Sequence, residues 1–155
     1  MLSRRVARTG VSHASMRMFI GDACRLIHER TTQSVTVGSA SADSLPLVRG
    51  LDLDLYQVHW YDRHERRSPL DRQVAEFELD RPVLLGEFPT RGSGRTPGEI
   101  LEAARRAGYV GALVWSALAD DEASDGEALT RALRPPAPVT ADPAGRRSAD
   151  VVDHQ

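Results

Sequence analysis

At 155 residues, 41% of them apolar, the chain can bury one hydrophobic core, and this places it among globular domains rather than disordered or fibrous chains. Twenty basic against 22 acidic residues leave a formal net charge of −2, without the positive footprint that nucleic acid or an anionic membrane would need in a partner, so neutral or small-molecule ligands fit better. Every basic residue is arginine and asparagine is absent, so no motif that depends on Asn is present.

Residues 1–14 carry Arg4, Arg5 and Arg8 with no continuous apolar stretch behind them, and read as a disordered lead rather than a signal peptide. No other stretch approaches membrane-spanning length, so the chain as written is expected in the cytoplasm, while a longer parent carrying a leader could be secreted. Met16, Phe19, Ile20, Ala23, Cys24 and Ile27 recur at helical spacing and predict an amphipathic helix to about Arg30. Cys24 is the only cysteine, so no internal disulfide forms, and within that pattern it reads as a buried structural thiol rather than a nucleophile. Residues 34–38, rich in β-branched side chains and closed by Gly38, predict a buried strand. A short helix over 44–49, stopped at Gly50, leads to a second strand over 53–61. Ser68 as cap and Pro69 at the first helical position predict a helix reaching Leu79, ended by Arg81-Pro82 before a third strand over 83–88. Thr96-Pro97-Gly98-Glu99 has capping-box spacing and opens a helix over 97–107 that Gly108 closes. Residues 110–115 form the fourth strand, and a helix over 127–133 follows. The Pro-rich stretch 135–155 lacks periodic apolar positions and is expected to be disordered.

The four strands begin roughly 20 to 30 residues apart, which is the size of one βα unit in barrels of about 250 residues that carry eight. Strands alternating with helices fit half of such a barrel and also an open doubly wound sheet. No Gly-rich phosphate loop follows the first strand, and Gly92-Ser93-Gly94 lacks the GxGxxG spacing, which favours the barrel.

In a barrel the chemistry sits at the C-terminal ends of the strands, where the unusual polar and aromatic residues of this chain fall. Glu87 ends an otherwise apolar strand, so its charge must face a polar cavity, find strong partners or cap the strand at a solvent edge. In the first two cases it is a candidate nucleophile. Strand alternation places His59 and Tyr61 on one face and Trp60 on the other, either as two hydrogen-bonding rings of a site or as a satisfied core histidine beside a wet tyrosine. Trp115 closes the fourth strand, either filling the core or presenting an indole on which a sugar ring can stack.

Together, residues 19–125 resemble the second half of the catalytic barrel of glycoside hydrolase family 5, a cellulase- and mannanase-like family. Residues 35–39, 56–61, 83–88 and 111–116 correspond to strands five to eight, with HxY on the sixth, GEF on the seventh and Trp115 on the eighth. The resemblance implies an α/β fold, the C-terminal half of a (β/α)8 barrel over residues 15–134. It implies Glu87 as nucleophile of a retaining mechanism, oriented by Tyr61, with His59 lining the sugar subsite and Trp115, joined by the neighbouring Trp60, contacting the sugar. No cofactor is implied.

A retaining glycosidase needs a second carboxyl about 5–5.5 Å from the nucleophile. In the family that acid/base follows an Asn at the end of the fourth strand, and here there is neither an Asn nor a strand upstream of Val35. Glu29, Glu76, Glu78, Glu99, Glu102 and Glu127 read as helical surface, Glu65 as part of a charged loop and Glu122 as surface beyond the last strand. Asp54 lies before the functional end of its strand, whereas Asp62, His64, Asp120 and Asp121 fall in strand-end loops within reach of a substrate. Their spacing makes no metal site. The resulting expectation is a glycosidase-like domain lacking its acid/base half, with a carbohydrate substrate and either a homodimer or a first-half barrel as partner. The alternative is a carbohydrate-binding or interaction remnant without chemistry.

Overall fold

The computed structural model describes residues 10–116, 118 and 121–134. Helix α1 (His13–Arg30) is capped by Ser12, whose hydroxyl accepts the Ser15 N–H at 3.0 Å. Four strands follow, β1 (Gly38–Ser39), β2 (Tyr56–His59), β3 (Val83–Pro89) and β4 (Ala112–Trp115), all parallel and paired in chain order. Helix α2 (Pro97–Ala107) crosses from β3 to β4, and α3 (Gly126–Leu133) follows β4. The capping box is formed as expected: Thr96 Oγ1 accepts the Glu99 N–H at 3.3 Å, and Glu99 Oε2 accepts the Thr96 N–H at 2.7 Å. The expected disordered segments fall largely on residues 1–9 and 135–155, outside the described residues, while α1 already begins at His13.

Period-two alternation divides the sheet into two faces. Tyr56, Val58 and Trp60 along β2 and Val83, Leu85 and Phe88 along β3 are buried, packed with Ile100, Ala103 and Ala104 of α2 and with Leu45, Leu53 and Leu70. The opposite face carries Gln57, His59, Leu84 and Gly86, all only partly buried, with Leu113 and Trp115 exposed. The core therefore lies between the sheet and its helices, on what would be the outside of a barrel.

Several elements differ from the sequence expectation. The segment expected to be helical up to Leu79 contains only a single 3-10 turn (Val74–Phe77), with Glu78 left-handed at φ 50°. The Ser68 hydroxyl is not free to cap it, because it accepts the Ala42 N–H at 3.2 Å, and the Leu70 N–H goes to Glu65 Oε2 at 3.2 Å. The helix expected at 44–49 is a 3-10 helix (Ala42–Leu47), because Pro46 inside it has no N–H to give. Of the strand expected over 34–38, only Gly38 lies within β1. Upstream, Val35 donates to the Asp54 carboxylate at 2.7 Å and accepts the Asp54 N–H at 3.0 Å, so a side chain takes the place of ladder pairing. Along α1, only Cys24 of the expected apolar stripe is fully buried, and Phe19 is 70% exposed. Among the described residues no helix is long and apolar enough to cross a membrane.

Candidate active site

The site begins with a register shift. Val58 pairs with Leu85, yet the next residue, His59, pairs with Glu87, so Gly86 is an extra residue on β3. Strict alternation from Val83 and Leu85 would send Glu87 into the buried outer face. The bulge reverses this, and Glu87 emerges on the open face beside His59, with its side chain 20% exposed. Beyond it, Phe88 returns to the core, and the Trp60 N–H bonds the Glu87 carbonyl at 2.8 Å.

Both oxygens of the Glu87 carboxylate have partners. The Tyr61 hydroxyl donates to Oε1, and His59 Nδ1 lies 3.1 Å from Oε2. Gln57 Nε2 is 3.3 Å from His59 Nε2, an arrangement that suits a neutral imidazole donating from Nδ1 to the carboxylate and accepting the Gln57 amide at Nε2. Burial first, and then the bond to Glu87, push the Tyr61 phenol well above its ordinary value, so it stays a donor through neutral pH. Two glycines make room for this row. A Cβ on Gly86 would come within 2.1–2.2 Å of the Gln57 side chain, and one on Gly38 within 2.8 Å of His59 Nε2. Gln57 was not singled out in the sequence, although it shares the face of His59 by simple alternation.

At the end of β4, Trp115 is 44% exposed and donates from Nε1 to Asp121 Oδ2 at 2.7 Å. The same carboxylate accepts the Ser124 hydroxyl at 2.8 Å and the Ala123 N–H at 2.9 Å, while Ser124 Oγ accepts the Ser116 N–H at 2.7 Å. These bonds hold the Asp121 carboxyl below the usual range, led by that from Ser124. Asp121 thus orients the indole, and Ser124 is a further residue that the sequence reading passed over. The Trp115–Ser116 peptide is cis.

Beside the Tyr61–Glu87 pair lies a cavity of about 330 Å³, with Tyr61, Asp62, Arg63, Arg91 and Glu122 in its wall. Asp62 is committed to its own loop, accepting from Ser93 Oγ and Gly94 N, each at 2.6 Å. Glu122, expected on plain surface, lines this cavity. Glu65, expected to be solvated, instead accepts from Trp60 Nε1 at 2.9 Å and pairs with Arg95 at 2.9 Å. Trp60 therefore does not join the site: it is 3% exposed, faces the covered side of the sheet, and has its N–H spent on Glu65. His64 meets the Tyr61 ring edge-on at 6.1 Å. Asp54 is turned away toward His28, at 2.9 Å, and Asp120 lies outside the described residues.

No family model matches the chain. Over 68 residues, 41% of this chain and 18% of the relative, it is 37% identical to a mannan endo-1,4-beta-mannosidase of Mytilus edulis. The crystal structure of endo-1,4-beta-mannanase from Eisenia fetida superposes with a TM-score of 0.62 at 24% identity, covering 73% of this chain and 38% of that one. The beta-1,4-mannanase of the sea hare Aplysia kurodai gives a TM-score of 0.41 at 25% identity, over 53% of this chain and 30% of that one. The chain spans less than a fifth of the curated relative. In fold, and in sequence over the matched segment, it resembles part of a glycoside hydrolase family 5 catalytic domain, and its four parallel strands are those of a partial (β/α)8 barrel.

Proposed function

We propose that this chain carries the nucleophile side of a retaining glycoside hydrolase site acting on a β-linked polysaccharide or glycoside. The observation that carries the reading is the Glu87 carboxylate, lifted onto the open face by a bulge and held by Tyr61 at one oxygen and His59 at the other. A carboxylate so aimed is suited to attack an anomeric carbon while the glycosidic C–O bond breaks, and to leave again when water attacks. In this reading Tyr61 and His59 orient the nucleophile, Gln57 sets the His59 tautomer, and Trp115 stacks on the sugar. The acid/base is assigned to a first half-barrel, provided by a longer chain or by a partner. β-1,4-Mannan is the first polymer to test, because the relatives with this likeness are named for that activity.

A mechanism-based fluorinated glycoside, offered to the chain together with a complementary first half, should label Glu87, with the modified peptide read by mass spectrometry. A label on another residue refutes the assignment. Alone, the chain should show negligible turnover, because a general acid typically contributes about 10²–10⁴-fold. Robust hydrolysis by the isolated chain that survives Glu87→Gln would place the chemistry elsewhere. A second reading, carbohydrate binding without turnover, is favoured by the exposed Trp115 indole, and predicts sugar binding with no label at all.

A further inference from the structure

A second cavity, of about 350 Å³, adjoins the first, with Ser41, Asp43, Arg63, His64, Arg66 and Arg67 in its wall. Arg63 lines both cavities, and its guanidinium lies 4.3 Å over the ring of Tyr61, the residue bonded to Glu87. Three arginines and one aspartate thus line this wall. None of the three forms an ion pair or donates a side-chain hydrogen bond among the described residues, although Arg25, Arg72, Arg95, Arg105 and Arg131 all have carboxylate partners. His64 adds no fourth charge: burial pushes its imidazole below the ordinary value, and its buried Nδ1 has no partner among the described residues. The chain as a whole is slightly acidic, so this concentration of positive charge is local.

Guanidinium groups bind carboxylates and sulfates with paired, charge-assisted hydrogen bonds, and a concave wall strengthens such contacts by excluding water. We propose that this cavity is a subsite for an acidic substituent, a carboxylate or a sulfate ester, on a sugar unit next to the one held at Glu87, so that the preferred glycan is anionic rather than neutral. The inference deepens the reading of Glu87 and rests on it for the placement of the neighbouring sugar. The anion site itself stands on the arginines. Arg63 links the two, since a substituent it held would lie against the Tyr61 ring.

The test is equilibrium binding, by titration calorimetry on the full chain, of three tetrasaccharides with the same β-1,4 backbone: mannotetraose, tetramannuronate and 6-O-sulfated mannotetraose. At low salt at least one acidic ligand should bind about tenfold or more tighter than the neutral one, with the advantage shrinking as added salt screens it. Whichever acidic ligand wins identifies the substituent. Arg66→Ala with Arg67→Ala should sharply reduce the advantage, leaving only what Arg63 supplies, with the melting curve unchanged, since both side chains are exposed, and the paired lysine variant should keep more of it. Equal affinity for all three ligands, no binding of either acidic one, or an acidic preference undiminished in the double alanine variant overturns the site. Failure of Glu87 to take the covalent label would overturn only the nucleophile.

Discussion

The Glu87 carboxylate and the Tyr61 phenol are the pair on which the proposed site depends, and the carboxylate changes the phenol's chemistry. Burial and then the carboxylate raise the Tyr61 phenol, burial raises that of Tyr56, and burial takes Tyr109 up to about 12. An alkaline difference titration should therefore show all three tyrosines ionising above the free value of about 10. Glu87→Gln should move one of them down, because it removes a charge that opposes the phenolate. An unchanged titration would break the link between the two residues. The linkage sign follows: phenols raised in the fold stay protonated where those of the unfolded chain ionise, so the stability they confer is complete below about pH 10 and declines as the pH rises beyond it. Gly86 offers a second test at this scale. Gly86→Ala would drive a methyl group into the Gln57 side chain, and overpacking of this kind typically costs about 1–3 kcal/mol. Gln57→Ala in the same chain should recover most of that loss, as measured by denaturant midpoints. Simple additivity of the two changes would show that they do not meet.

Among the elements, α1 buries Cys24 in the core and is tied by polar contacts to the segment between β1 and β2. Arg17 reaches the Leu47 and Arg49 carbonyls at 2.7 and 3.1 Å, and His28 bridges Asp52 and Asp54 at 3.0 and 2.9 Å. With a carboxylate at each ring nitrogen both must donate, so the bridge belongs to the imidazolium, and His28 is raised above its ordinary value, chiefly by Asp54 and then by Asp52. Asp54 is lowered in turn, first by the Val35 N–H and then by His28. A raised histidine contributes its stability fully below the unfolded value of about 6.5 and loses it as the pH climbs through the folded value. Melting temperatures should thus fall between about pH 6 and 8, and His28→Gln should flatten that slope. A slope unchanged in the variant would place the titration elsewhere. The same scale shows how local signals are overridden. Ser68-Pro69 carries a good helix start, yet the hydroxyl caps nothing in its own segment, because Ala42, distant in sequence, takes it.

Taken as a whole, the molecule covers one side of its sheet and leaves the other open. Leu113 and Trp115 are exposed on the inner face, β1 and β4 lack an outer neighbour among the described residues, and Met18 and Phe19 stand out from α1. Apolar surface gains roughly 25 cal/mol per Å² on burial, and unpaired strand edges invite further pairing, so the purified chain should associate with itself or with a complementary half-barrel. Light scattering at micromolar concentration should report a dimer, larger species or loss of soluble material. A monodisperse monomer with a cooperative melt would overturn this expectation.

Local rules settled much of this in advance. The spacing of β-branched runs and capping signals was enough for β2, β3, β4, α1, α2 and α3 and for the neighbourhood of β1, and the HxY, GEF and Trp115 positions marked the strand ends where the candidate site lies, because strand and helix periods are properties of consecutive residues. The direction in which Glu87 points was not readable in this way: a one-residue bulge reverses strand parity, and that bulge exists only in the pairing of β3 with β2. Trp60 and Glu65 likewise changed roles because each found the other across a turn, with Arg95 arriving from a later loop. The arginines at 63, 66 and 67 were not singled out in the sequence, where Glu65 among them read only as part of a charged loop. Only the fold, by bringing them together with residues 40–43 that follow β1, makes them the wall of one cavity.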